Sequence, residues 1–479
     1  MPVQGARGRG CCKLKTFFKS NSFRFIIALI AVIIAALVIT MIPTLHTDMT
    51  HNKLMTLTNE FSARLKALNT DVEAYLIAEN TDSNNNLWID EVLTKADQLS
   101  DRFTYSLLTS GSTKLGAVNA LANSKSLMEG NVVVSANGRS LVLDDSYLAA
   151  IEFDENYYYY YGTYMYTRAD FTLQSAMCNV IDYLLNDDLP AIHVFTGHGE
   201  NGMDGKLYDV AYQNNFIVKE TSELTDDVKV LLVCNPAAPL TDAEKASVSD
   251  FLKNGGKLMF MSSYTTEMGG WDEILADYGM KMLPGTLFES SAKYYYSADY
   301  PYVTKPVMRS DAYTDALIEA NASVILPIAS PLARSDVRRA GLNTSILFTT
   351  SDTAYHKSDL AHTATASQEE NDETGTFVSG MVAREGDTVV LWVPSSMFIT
   401  ESSELMANGG NSAFLSAVLS DMAALSPVEE RTVTGQSLLS DYVQIPAATA
   451  YIALFSLPLI CLILGFLFVQ LKKPRKKAA

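Results

Sequence analysis

Two unbroken apolar runs bracket a long middle section in which apolar positions recur at the periods of helices and strands. Residues 25–42 are 18 positions without a charge, closed by Pro43, and residues 447–471 are 25 more, with Pro458 inside. At about 1.5 Å rise per residue, either run can cross a hydrocarbon core of roughly 30 Å. A cleaved signal peptide is the alternative for the first run. Its apolar part exceeds a signal h-region and no A-x-A-like site follows, so an uncleaved signal anchor is expected.

Between the runs, Leu54, Leu57, Phe61, Leu65 and Leu68 recur at three- and four-residue steps and predict an amphipathic helix. Residues 71–77, 131–135 and 140–143 read as strands, and Trp88, Val92, Ala96 and Leu99 form a second helical stripe. Residues 46–150 are therefore expected to form a small α/β domain, thioredoxin-like in element order but without a C-x-x-C. Seven tyrosines crowd 154–168, and Tyr294, Tyr295, Tyr296, Tyr300 and Tyr302 form a second group. Such runs suit ligand platforms; packing of the rings in an edge strand or linker is the preferred alternative.

A helical stripe of Leu173, Met177, Val180, Ile181 and Leu184 follows. The β-favouring run 191–195 then enters Thr196-Gly197-His198-Gly199-Glu200. Residues 207–214 look helical and 216–219 extended, and 228–233 is a strand covered on both faces. Thr241 and Glu244 form a capping box, and Asn254-Gly255-Gly256 ends that helix before a strand at 257–261. Strand, helix and strand in that order predict a parallel sheet with right-handed crossovers, flavodoxin- or amidotransferase-like in outline. Further strands are expected at 324–328, 345–349 and 388–393, a mobile polar loop at 350–375, and a late helix carrying Phe414, Leu415, Val418, Leu419 and Met422.

The division expected is a basic tail (1–24), a first transmembrane helix (25–42), a small α/β domain (46–150) and a larger α/β domain (151–425). A stalk (426–446), a second transmembrane helix (447–471) and a basic tail (472–479) complete it. Charge sets the orientation. Six bases and no acid lie in residues 1–45, and five bases and no acid in 471–479. Both ends are thus expected in the cytoplasm and 46–446 outside. The remainder carries 25 bases against 54 acids, which disfavours nucleic acid as a partner. Only Cys178 and Cys234 of the five cysteines fall in the outer region; two buried free thiols are expected rather than a disulfide framework. Cys11 and Cys12 lie on the cytoplasmic flank and Cys461 in the second run.

The turn at 196–200 carries the sharpest chemistry. A His-x-Glu pair, His198 and Glu200 with Asp204 and Asp209 nearby, suits metal binding or acid–base work. Gly197 and Gly199 break the strand, so the facing of the pair is not legible. Recognition of a ligand or partner by Thr196, Gly197, His198, Gly199 and Glu200 ranks above catalysis, and a structural turn above both. His193 reads as a core or sheet-lining residue. Cys234 ends a strand but is followed by Asn235-Pro236 rather than a nucleophile elbow.

Taken together these segments resemble the GldG-like auxiliary proteins of ABC transporters, the family named after a gliding-motility component. The resemblance rests on the stretch 48–57 after the first run, on Thr196 to Glu200, and on 235–240 with the Glu244 helix and Gly255-Gly256-Lys257. Thr350-Ser351 and the Asn-Gly-Gly-Asn stretch 408–411 also match. Pro394-Ser395-Ser396 departs from the glycine-aspartate-serine-like turn the family leads one to expect. The resemblance implies a non-catalytic subunit with no cofactor, in a bacterial cell membrane, paired with an ABC-2-type permease and a cytoplasmic ABC ATPase. The absence of a G-x-x-x-x-G-K-[ST] motif agrees with a separate ATPase. The alternative is an anchored extracytoplasmic glycan-binding protein or hydrolase that uses the His198/Glu200 turn.

Overall fold

The computed structural model describes residues 52–79, 86–123, 125–154, 159, 162–163, 165–201, 205–358, 366–425 and 434–437. The apolar runs 25–42 and 447–471, both basic tails, Cys11, Cys12, Cys461, Asp204 and most of the stalk lie outside the described residues. Among the described residues no helix is long and apolar enough to cross a membrane. The chain divides into two compact units, one of residues 57–150 with 171–435, the other of 1–56, 151–170 and 436–479.

The first of these units opens with the helix Asn59–Lys66. The apolar stripe begins at Leu54, but Thr58 caps the helix by accepting from the Phe61 amide at 3.2 Å, so the helix starts later than the stripe. Strands β1 (Val72–Ile77) and β2 (Phe103–Leu108) run parallel around the helix Leu87–Leu99, and β3 (Val132–Ala136) and β4 (Arg139–Leu143) form an antiparallel hairpin. Asn137 and Gly138, with φ of 53° and 71°, make its two-residue turn. The sheet order is β2-β1-β3-β4. Strand β2 was not expected, although Phe103 to Leu107 alternate apolar and polar residues; its burial does not follow that alternation, because it lies at the edge of the sheet.

Strands β5 (Ala149–Phe153) and β6 (Tyr166–Phe171) belong largely to the second unit. The chain then returns through the helix Leu173–Leu185 to a large sheet. Its strands β7 (Ala191–Phe195), β8 (Ile217–Thr221), β9 (Val230–Cys234) and β10 (Lys257–Met261) are all parallel, as the crossover argument requires. Beyond them come β11 (Met280–Met282), β12 (Thr286–Phe288), β13 (Tyr295–Ser297), β14 (Tyr300–Thr304), β15 (Val307–Met308) and β16 (Leu326–Pro327). The chain continues through β17 (Leu332–Arg334), β18 (Asn343–Thr349), β19 (Tyr355–Lys357), β20 (Glu373–Thr374), β21 (Val378–Glu385) and β22 (Thr388–Val393). Strand β22 is parallel to β10, but β21 is antiparallel to β22, β17 and β18 are antiparallel to β21, and β11 is antiparallel to β17. The ten-stranded sheet is therefore mixed rather than parallel throughout. The hairpin joining β21 to β22 at Gly386-Asp387 reverses the direction without a helix, which is why the parallel half ends there.

Alternate residues of each central strand supply two cores. Ile192, Val194, Leu232, Met259 and Leu391 face the helices Gly205–Gln213 and Gly410–Met422. Leu231, Val233, Leu258, Phe260 and Trp392 face Asp242–Lys253 and Trp271–Asp277. All six residues of β22 are buried, which explains its near-continuous apolar sequence.

The segment 350–375 is not the loose loop its polarity predicts. Strands β12, β19 and β20 form a small sheet, and the buried Lys357 ammonium holds Glu369 at 2.9 Å and Asp372 at 2.8 Å. Paired charges do here what apolar residues do elsewhere, a cue composition does not carry; residues 359–365 lie outside the described ones.

In the second unit β5, β6 and β23 (Gln436–Ser437) form a three-stranded sheet. The Asn52 side-chain amide donates to the Ser437 carbonyl at 2.5 Å, and the Gln436 amide to the Lys53 carbonyl at 2.9 Å. The segment that follows the first apolar run thus pairs with the one that precedes the second. Of the first tyrosine group, Tyr159 and Tyr166 are exposed, and the other five lie outside the described residues.

Candidate functional site

Along the parallel strands the order is β8-β7-β9-β10-β22, so the chain moves one way from β7 to β8 and the other way from β9 onward. The point of reversal lies between β7 and β9, where open α/β sheets leave a crevice at the carboxyl ends. The loops that meet there are 196–201, 235–240 and 262–270. They contain every residue of the His198 turn.

Thr196 continues the pairing with β8, donating through its amide at 2.9 Å and its hydroxyl at 3.3 Å to the Thr221 carbonyl. Gly197 and Gly199 then take φ of 119° and 70°, a backbone that L side chains rarely adopt. The resulting turn folds Glu200 back on His198. The His198 amide donates to Glu200 Oε2 at 2.8 Å, and His198 Nδ1 lies 3.2 Å from Glu200 Oε1. On the other side of the ring, Nε2 is 3.3 Å from Glu244 Oε1. The ring stacks on Phe195 at 5.2 Å and 14°, and only 8% of His198 is exposed. Its carbonyl accepts from the amides of Ala237 and Ala238, both at 2.9 Å. The turn binds its own neighbours with every polar group His198 possesses.

Glu244 is the partner the sequence reading missed. Its capping role was legible, and the box is complete, with Oε2 accepting from the Thr241 amide at 2.8 Å and hydroxyl at 2.6 Å. These bonds to Thr241, with a smaller contribution from His198, hold its pKa down at about 2. The second carboxyl oxygen is left to face the histidine, and no local pattern announces that.

The neighbouring loops are tied in the same way. Asn235 sits at φ 52°, and its Oδ1 accepts from Ser263 Oγ at 2.7 Å and Thr266 Oγ1 at 2.5 Å. Asp209, expected near the turn, is not brought there. It is buried beside Lys125 Nζ at 3.1 Å and Lys206 Nζ at 3.2 Å. Lys125 also reaches Asp144 at 2.8 Å, so this cluster ties the small sheet to the helix Gly205–Gln213. Among the described residues no three His, Cys, Asp or Glu side chains are grouped to hold a metal ion.

His193 is buried in β7 as a core residue, and burial lowers its pKa. Cys178 and Cys234 are free and buried, and burial pushes both thiols up to about 12. Cys234 Sγ lies 3.6 Å from the Ser396 carbonyl. Its protonated, enclosed thiol is inert as a nucleophile. The departing turn at 394–396 is also structural: Ser395 is fully buried and donates to the Pro327 carbonyl at 2.6 Å. An open groove of about 530 Å³ flanks the turn between Phe195, Ser222, Glu223, Leu224 and Glu244. Its charged residues are both acidic.

No protein-family model matches the chain, and no curated protein matches it. Among solved structures, an mmIFT52 N-terminal domain is similar over 50% of this chain and all of its own, with 12% identity and a TM-score of 0.38. A GH42 beta-galactosidase from G. stearothermophilus is similar over 53% of this chain and 32% of its own, with 12% identity and a TM-score of 0.29. The exo-beta-1,4-mannosidase Op5Man5 from Opitutaceae bacterium strain TAV5 covers 72% of this chain with 50% of its own, at 10% identity and a TM-score of 0.29. Likenesses this distant assign neither fold family nor activity.

Proposed function

We propose that this chain is a non-catalytic auxiliary subunit anchored in a membrane at both ends. More narrowly, it is a GldG-like subunit that works with an ABC-2-type permease and a separate cytoplasmic ATPase. The observation that carries the reading is the pairing of Asn52 with Ser437 and of Lys53 with Gln436. Two spans that lie side by side in one bilayer need the segments leading into them to meet, and these do.

The site is consistent with this reading. Its strand order is the flavodoxin-like 2-1-3-4-5, and ligands of that architecture bind at the reversal point. Here the reversal point is filled by His198, Glu200 and Glu244 binding one another. The order and directions of β1 to β4 likewise support the thioredoxin-like reading of the small sheet.

The test is affinity purification of the full chain from membranes in mild detergent. Co-recovery of an ATPase and a polytopic permease supports the proposal; recovery of the chain alone sinks it. The acid-lined groove beside Glu244 favours one second reading, a glycan-binding or hydrolytic role for the same turn. That reading requires the full chain to bind or cleave glycans unaided, and to lose this on Glu200→Gln.

A further inference from the structure

The chain carries a net charge of −18, yet three arginines fall within six residues, at 334, 338 and 339. They line one open groove of about 730 Å³, together with Gly279, Asn343 and Thr344. No carboxylate lines it. A groove of that size is in the range that takes a small molecule or a headgroup.

The loop that carries the arginines is pinned at both ends. Ser335 donates through its amide to the Gly279 carbonyl at 3.1 Å and through its hydroxyl to the Ala276 carbonyl at 2.6 Å. Thr344 Oγ1 donates to the Tyr278 carbonyl at 2.9 Å. Gly279 has φ of 84°, and a Cβ there would sit 2.7 Å from Thr344 Oγ1, so the close approach needs glycine. Arg339 completes the anchoring with a bidentate pair to Glu385, at 2.7 and 2.5 Å, and its guanidinium lies 5.0 Å from the Tyr278 ring centroid.

The charge of Arg339 is therefore spent within the protein. The other two are not. Arg334 is exposed at the end of β17, where its backbone pairs with Met280, and its guanidinium has no hydrogen bond or ion pair among the described residues. Arg338 is exposed and bonds only the carbonyls of Ser335 and Val337, at 3.4 and 3.0 Å. Two guanidiniums without a carboxylate of their own, on a pinned loop in an otherwise acidic chain, match a doubly charged oxyanion. A phosphate group carries roughly −1.5 to −2 near neutral pH, and arginine forks fit it bidentately.

We propose that the groove between Arg334, Arg338 and Thr344 is a binding site for a phosphate-bearing ligand. It is distinct from the His198 turn, and it does not rest on the transporter reading. The phosphate comes either from a soluble di- or monophosphate or from an anionic lipid headgroup.

The full chain in neutral detergent separates these sources. One arm titrates inorganic phosphate and pyrophosphate by calorimetry. The other compares mixed micelles that contain phosphatidylglycerol with micelles of phosphatidylcholine alone. Binding in either arm is expected to weaken about tenfold in Arg334→Gln or Arg338→Gln. It is also expected to weaken with added salt, and to be unchanged in Arg309→Gln, which lies outside the groove. Binding in the soluble arm identifies a free phosphate compound, and binding only in the phosphatidylglycerol arm identifies a headgroup. Absence of binding in both arms overturns the proposal, as does equal binding by the Arg334→Gln/Arg338→Gln pair. Both side chains are exposed and carry no tertiary bond, so each single variant is expected to fold.

Discussion

His198 Nε2 lies 3.3 Å from Glu244 Oε1, so the turn at the end of β7 is tied to the first turn of the helix that follows β9. The same carboxylate caps its own helix through Thr241. One side chain thus caps the start of a helix and closes the crevice at the point where the strand order reverses.

That double role gives Glu244 a pH signature. Its folded pKa, about 2, lies below the ordinary 4.5. Its contribution is therefore full above the ordinary value and is lost as pH falls from there toward 2. Gln at this position can still accept from Thr241 but carries no charge, so Glu244→Gln is expected to lose about 0.3–1 kcal/mol at pH 7. With 35% of the side chain exposed, solvent screening places the loss toward the low end of that range. The gap between thermal melts of variant and wild type should narrow below about pH 4.5 and close near pH 2; a gap that stays constant over that window would show that the carboxylate charge is irrelevant.

Asn411 is expected to be among the least replaceable polar residues. Its side chain accepts from the Ile325 amide at 2.8 Å and donates to the carbonyls of Ile325 at 3.0 Å and Phe398 at 2.7 Å. Asn411→Ala strands buried backbone groups, each worth about 1–3 kcal/mol when unsatisfied. A loss of about 3 kcal/mol in urea unfolding is expected. A loss under about 1 kcal/mol would mean that water enters and replaces the amide.

Lys357 is predicted to hold the segment 366–375 in place. Burial opposes its charge, but Asp372 and Glu369 outweigh that and raise its pKa above the ordinary 10.5. The clamp is therefore complete below about pH 10.5 and is lost only as pH rises through the folded value. Lys357→Met leaves Asp372, whose side chain is 10% exposed, without its cation. Breaking the pair is expected to lose about 2–4 kcal/mol, with new protease cleavage near Glu369. Unchanged cleavage would show that the small sheet stands without the clamp.

Cys178 and Cys234, with thiols pushed up to about 12, should resist iodoacetamide at pH 8 in the folded chain and react once it is unfolded. Mass-spectrometric mapping keeps these sites apart from Cys11, Cys12 and Cys461. Rapid labelling of Cys234 in the folded chain would revive the nucleophile reading rejected above.

Much of the α/β frame was legible in advance. The strands Lys257–Met261 and Thr388–Val393, the helix from Leu173, and the capping box of Thr241 and Glu244 all follow from patterns within a few residues of one another. Strand β21 escaped notice, because its identity depends on pairing with β18 and β22 rather than on its own alternation. The Asn-Gly-Gly-Asn stretch at 408–411 stood out as a motif, but its reason is tertiary. Asn408 takes φ of 49° to end one helix, and Gly410 lies where a Cβ would come within 2.0 Å of the Ser323 carbonyl oxygen.

By itself, then, the sequence determined the local elements, the two apolar runs, the charge of the ends and the glycine-hinged turn. Periodicity, capping and hydropathy are properties of neighbouring residues, and no partner is needed to read them. Only the tertiary structure decided that the ten-stranded sheet is mixed and that Lys357 staples a polar segment. It alone showed that His198 is closed by Glu244 and that Arg334 and Arg338 share a groove. Those outcomes turn on distances between residues far apart in the chain, set by strand order and by which buried charges find partners.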